Sequence, residues 1–168
     1  MRQDKYTEQA QEVLAASQDL VRSYQHNQWG VAHLLLALLQ QEGGLTNEIL
    51  KVLGVDTEML RQRLESGLAN APKVAYVGDQ MFATPEILRV LDNAGAEARR
   101  LKDEFISTEH LLIAIAADRM AQSTLLRGFG IDQEKIYRAL QSIRGGHRVT
   151  DPRAETKYRA LEKYSRDL

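Results

Sequence analysis

Gln28-Trp29-Gly30-Val31-Ala32-His33-Leu34-Leu35-Leu36-Ala37-Leu38-Leu39 is answered later in the chain by Phe105-Ile106-Ser107-Thr108-Glu109-His110-Leu111-Leu112-Ile113-Ala114-Ile115-Ala116. An offset of 77 lays His33 on His110, Leu34 on Leu111, Leu35 on Leu112 and Ala37 on Ala114. The same offset lays Thr7 on Thr84, Val13 on Val90 and Leu14 on Leu91. After one deletion the offset becomes 76, and Leu50, Gly54, Asp56 and Glu58 fall on Leu126, Gly130, Asp132 and Glu134. Apolar positions that recur in this way describe one small helical unit, duplicated, with both copies packed into one core. Such an object is a binding scaffold before it is an enzyme.

The period is helical nearly throughout. Ala10, Val13, Leu14, Ser17, Leu20 and Val21 share one face of a first helix, with Thr7 placed as its N-cap and Glu8 at the positive end of its dipole. The counterpart opens Thr84-Pro85-Glu86, a cap followed by proline where its missing N–H costs nothing. Val31–Leu39 and Leu111–Ala117 are apolar on all sides, so these helices belong at the centre. A third helix in each copy stops at Gly54 or Gly130, a left-handed C′ position, and Asp56 or Asp132 caps a fourth. The expected fold is all-α: about eight short helices in two pseudo-symmetric sets of four. Copy one covers about 1–68, a linker 69–81, and copy two about 82–146.

Beyond Gly145-Gly146 the residues 147–168 are rich in charge, with an amphipathic segment, Ala154 to Tyr164, that reads as a linker helix. Glycines and few apolar anchors predict that this tail is mobile and is cut first by proteases between Gly145 and Arg153. Trp29, matched to Ile106, reads as core. Tyr6 and Phe82, beside the two caps, read as staples onto the following turn.

Composition narrows the function. The 168 residues hold 43% apolar side chains, and 22 basic residues face 23 acidic ones. No basic stripe suggests nucleic acid, no apolar run approaches a membrane span, and the absence of cysteine excludes thiolate metal sites and fits a cytoplasmic location. No Gly-Lys dipeptide exists, so there is no phosphate-cradling loop. The histidines show no ligand spacing, and no serine sits in a G-x-S-x-G turn. His33 and His110 each open an apolar helix, where a ring nitrogen can satisfy backbone groups. The chain is expected to be non-catalytic, without metal or cofactor.

Thr7-Glu8-x-Ala10-Gln11, His33-Leu34-Leu35, Gln41-Glu42-Gly43-Gly44 and Phe105 to Leu112 resemble the duplicated N-terminal domain of the Clp ATPases. Ile143-Arg144-Gly145-Gly146, Val149-Thr150-Asp151 and Ala160-Leu161-x-Lys163-Tyr164-x-Arg166-Asp167-Leu168 favour the ClpB-type disaggregases, where a similar segment leads into the first ATPase module. Copies in this family often carry an acid before the histidine, as Glu109 does; copy one has Ala32 instead.

The resemblance implies a domain that recognises unfolded or aggregated polypeptides. The alternative is an adaptor-docking domain of the ClpA or ClpC type, working with a protease. It implies a monomeric fragment of a homohexamer that acts with a DnaK-type chaperone system, and ATP and Mg bound only in downstream modules. It assigns client contact to Thr7, Asp103 and Glu109, with both acids expected as surface residues. Leu91 is chosen for an apolar groove and Tyr6 for its rim. Which other leucines line such a groove is left open.

Overall fold

A computed structural model describes residues 3–76, 78 and 80–156. Helix α1 (Glu8–Ser23) is repeated as α5 (Pro85–Arg100), both of 16 residues, and α2 (Val31–Gln40) as α6 (Thr108–Ala117), both of 10. Helix α3 (Leu45–Val52) returns as α7 (Ala121–Gly128), and α4 (Thr57–Asn70) as the shorter α8 (Gln133–Arg144). The start of each helix is displaced by 77 in the first two pairs and by 76 in the last two. This is the all-α duplicated bundle that the offsets imply.

The caps are those that the residues dictate. Thr7, Asp56, Thr84 and Asp132 each accept a backbone N–H of the first turn. Gly54 and Gly130 follow α3 and α7 with φ of 70° and 78°. Helices α2 and α6 are central: Leu34, Leu35, Leu36 and Leu38 are fully buried, as are Leu111, Leu112, Ile113 and Ile115. They touch each other, and α1 and α4 flank α2 while α5, α7 and α8 flank α6.

Two short pairings were not legible from periodicity. Strand β1 (Gln28–Trp29) runs parallel to β2 (Phe82–Ala83), and Tyr6 bridges Ile106 in the same sense. The offset relates these pairings. The residues before α1 pair with those before α6, and the residues before α5 pair with those before α2. Each copy therefore lends its leading segment to the other. Phe82 is no staple: it is 54% exposed, because the offset sets Ala83 in the place of the buried Tyr6.

The tail differs from expectation as well. Val149, Ala154 and Glu155 are buried, the Glu8 N–H donates to the Pro152 carbonyl at 2.9 Å, and the Glu104 N–H donates to that of Val149. Through Thr156 the tail is thus docked, and helix geometry begins at 154–156. Composition misjudged it because polar and backbone bonds, more than apolar area, hold it. The rest of the expected linker helix lies outside the described residues.

Candidate functional site

The site begins at two matched turns. After α1 and α5 the chain enters left-handed backbone at Gln25 and Lys102, each with φ of 59°. The next N–H in each, of His26 and of Asp103, reaches back to Val21 or Ala98 at 2.8 Å and closes the helix end. These turns aim His26 at His33 and Asp103 at His110. Each helix-opening histidine accepts a backbone N–H at Nδ1, from Gly30 at 3.0 Å or Ser107 at 2.8 Å. That fixes the proton on Nε2, which donates to His26 Nδ1 at 2.9 Å or to Asp103 Oδ2 at 2.7 Å. Burial, with the neighbouring His26, pushes His33 down to about 4.

Copy two builds outward from Asp103. Its Oδ1 accepts from Arg144 at 2.6 Å and from the Val149 N–H at 2.8 Å. Burial works to raise this carboxyl, but the bonds from His110, Arg144 and Val149 outweigh it and hold the group below its ordinary value. Arg144 also stands 3.5 Å from Glu109. Glu109 is wholly buried; burial first, and the Glu155 charge as well, push it up to about 7 against His110 and Arg144. Its partner is Ser107, whose hydroxyl is also 3.0 Å from His110 Nδ1. A protonated Glu109 can donate to Ser107 Oγ.

Glu155 completes the cluster from the tail. One carboxylate oxygen accepts from Thr7 Oγ1 at 2.7 Å, from the Thr108 N–H at 3.1 Å and from Thr108 Oγ1 at 3.3 Å. It lies between the N-termini of α1 and α6, where both dipoles favour an anion. Thr7 therefore does two things, since its oxygen also caps α1.

In front of this cluster an open groove of about 570 Å³ runs along α5. Tyr6, Leu88, Leu91, Gly95, Asp103 and Ile106 are among its lining. Leu88 is 55% exposed, whereas Leu91 and Tyr6 show only an edge. A Cβ on Gly95 would make ordinary contact with Ile106 Cδ1, at 3.5 Å. Copy one carries Gln11 and Gln18 where copy two has Leu88 and Gly95.

The model of the Clp repeat (R) N-terminal domain matches residues 5–129. The chain belongs to the Clp repeat N-terminal domain family. It is 42% identical over 164 residues to Chaperone protein ClpB 1 of Synechocystis sp., covering 98% of this chain and 18% of that protein. The chain thus spans less than a fifth of the curated relatives it matches. Two solved Clp-type domains share its fold. The Hsp104 N-terminal domain from Candida albicans superimposes with a TM-score of 0.80 at 17% identity, over 90% of this chain and 99% of that one. The ClpV N-domain in its complex with VipB peptide does so with 0.66 at 16%, over 82% and 86%.

Within this Clp domain the five residues singled out by sequence divide into two groups. Tyr6, Leu91 and Asp103 meet at the groove. Thr7 and Glu109 lie behind it with no exposed surface, and Asp103 shows only backbone there, its side chain being fully buried. The expectation of two surface acids is thus corrected: the docked tail and Arg144 cover them. Leu88, Gly95, Ile106, Arg144 and Glu155 were missed. Comparing the copies would have found two of them, because Leu88 against Gln11 and Gly95 against Gln18 are apolar or small where the other copy is polar. Among the described residues no group of three or more His, Asp or Glu is placed to hold a metal, and no helix is long and apolar enough to cross a membrane.

Proposed function

We propose that this domain captures exposed apolar segments of misfolded or aggregated proteins for a ClpB-type disaggregase. The observation that carries this reading is the groove, where the half-exposed Leu88 joins Leu91, Tyr6 and Ile106. A shallow apolar floor with a polar wall suits clients without a fixed sequence. Tyr6 and Leu91 meet the client at the groove, while Asp103, whose side chain is buried, holds the wall from within. Thr7 and Glu109 serve it from behind, by holding the helix starts that carry its wall. The domain does no chemistry in this reading. ATP and Mg act in further modules of a cytoplasmic homohexamer that works with a DnaK-type system, while the isolated domain is a monomer.

The test is titration of the chain with a soluble, permanently unfolded protein such as reduced, carboxymethylated lactalbumin. Saturable binding is expected with Kd on the order of 10 μM to 1 mM. Leu88→Asp should weaken it about tenfold at an unchanged melting temperature, since an exposed position carries little stability. No saturable binding would overturn the reading. The ClpV relative with its bound peptide makes docking of a defined partner the competing reading. A folded partner that binds below about 1 μM and is not displaced by unfolded client would favour it.

A further inference from the structure

The docked tail, residues 147–156, touches both segments that form the groove's wall. Lys5 and Tyr6 on one side, and Asp103, Glu104 and Ile106 on the other, line the groove. These segments hold each other through Ile106 N–H to the Lys5 carbonyl at 2.8 Å and Thr7 N–H to the Ile106 carbonyl at 3.0 Å. Each is also bonded to the tail: Glu8 N–H to Pro152, Glu104 N–H to Val149, and Val149 N–H to the Asp103 carboxylate. The wall is therefore the middle of a three-segment stack whose outer layer is the tail.

One side chain anchors that outer layer to both segments of the wall. Glu155, 3% exposed, ties Thr7 of copy one to Thr108 of copy two. A buried carboxylate is retained only where its hydrogen bonds offset lost hydration, and here three donors converge on one oxygen. If the tail leaves, Thr108 N–H loses its side-chain acceptor, because a cap at Ser107 reaches only the N–H groups further into α6. Asp103 loses the Val149 N–H, and the 5–8 segment loses its bond to Pro152.

We propose that Glu155 is a positioning residue for the client groove: its docking holds the Tyr6–Ile106 wall, and its release loosens the wall and lowers the grip on client. The inference rests on the groove being the client site, but its structural half can be read without client. By linkage, client bound in the groove favours the docked tail to the same extent that the docked tail favours client.

The fold supplies its own control. Thr84 N–H donates to the Trp29 carbonyl at 3.0 Å, the counterpart of Thr7 N–H to Ile106, at the end of the molecule that Glu155 does not touch. Amide exchange followed by NMR in Glu155→Ala should show lost protection at Val149, spreading to Thr7 and Ile106 by about tenfold relative to Thr84. Unfolded lactalbumin should bind this variant about tenfold more weakly, and in the unaltered chain it should slow exchange at Val149. Glu155→Gln, which keeps an acceptor oxygen, should fall between the two and serves if the alanine variant does not fold. Unchanged protection at Val149, or loss at Val149 with Thr7 and Ile106 still protected as before, overturns the proposal. Equal loss at Thr84 also overturns it, since that reports general destabilisation. Spreading loss in a chain that binds no client would leave the latch standing and remove the client reading instead.

Discussion

His26 and Asp103 hold the same place in the two copies and face the same kind of histidine, yet only Asp103 carries a charge that reaches the tail. The difference continues one layer out. The offset of 76 sets Arg144 opposite Leu68, and Arg144 bonds Asp103 where the Leu68 carbonyl lies near His26. One copy has turned this corner into an ionic junction, and the other has kept it nearly neutral.

Asp103→Ala is accordingly expected to be among the most damaging changes at this site. It strips a partner from His110, Arg144 and Val149 at once, and breaking a buried ion pair by removing one member costs about 3–5 kcal/mol. His26→Ala removes one neutral acceptor and should cost about 1–3 kcal/mol. Urea denaturation of both variants checks the order. An Asp103→Ala loss smaller than that of His26→Ala would contradict the assignment of Asp103 as the junction.

Glu109 sets a pH dependence whose sign is the reverse of an ordinary paired acid. Its folded value of about 7 lies above the ordinary 4.5, so the folded state binds the extra proton. Stability from this group is complete below about pH 4.5 and is lost as pH rises through about 7. His33, lowered from 6.5 to about 4, acts oppositely, its contribution being lost as pH falls across that range. Glu109→Gln leaves His33 in place, so His33 cancels in the difference between variant and parent. The variant should gain on the parent by about 2 kcal/mol between roughly pH 5 and pH 7.5. A difference that is flat across this range would show that Glu109 is not held neutral.

Gly145 ends α8 with φ of 59° and ψ of −127°, a conformation that a Cβ resists. The turn sends the chain back toward Asp103. Gly145→Ala should cost about 1–3 kcal/mol and expose the Val149 amide to exchange. Gly146, which has no positive φ, should tolerate alanine within about 0.5 kcal/mol. Equal effects of the two changes would place the strain elsewhere.

Trp29 gives the core an optical reporter. Its indole N–H donates to Ser17 Oγ at 2.8 Å, and both residues are buried. Ser17→Ala should cost about 1–3 kcal/mol by orphaning that N–H. Adding Trp29→Phe should cost less than the sum of the two single changes, because the orphaned group is then gone. Strict additivity would show that the bond contributes nothing.

The helices, their caps and the central pair were legible because each depends on residues within one or two turns. Thr7, Asp56, Thr84 and Asp132 announce themselves locally, and an apolar run such as Leu34 to Leu39 has nowhere to go but inward. The roles of His33 and His110 followed for the same reason, since their backbone bonds reach only three residues back. Asp103 and Glu109 were misplaced on the surface because what buries them comes from afar: Arg144 lies 41 residues beyond Asp103, and Glu155 lies 148 beyond Thr7. Periodicity carries no information over that distance. Leu88 escaped notice because it falls outside the stripe of Ile87, Val90 and Leu91, and apolar residues off the stripe are often incidental.

The crossed pairings of β1 with β2 and of Tyr6 with Ile106 bear on what one copy would be by itself. A single copy has a leading segment and a receiving segment, but in this fold neither engages the other. Alone, it would present both unsatisfied backbone edges at one face, with the apolar side of α2 or α6 uncovered beside them. The partner that fits is another copy turned by a half rotation, as in an isologous dimer. The present chain is such a dimer made covalent through residues 71–81. Halves that are joined can differ, which an identical pair cannot do: only the second copy carries Asp103, Arg144 and Gly95.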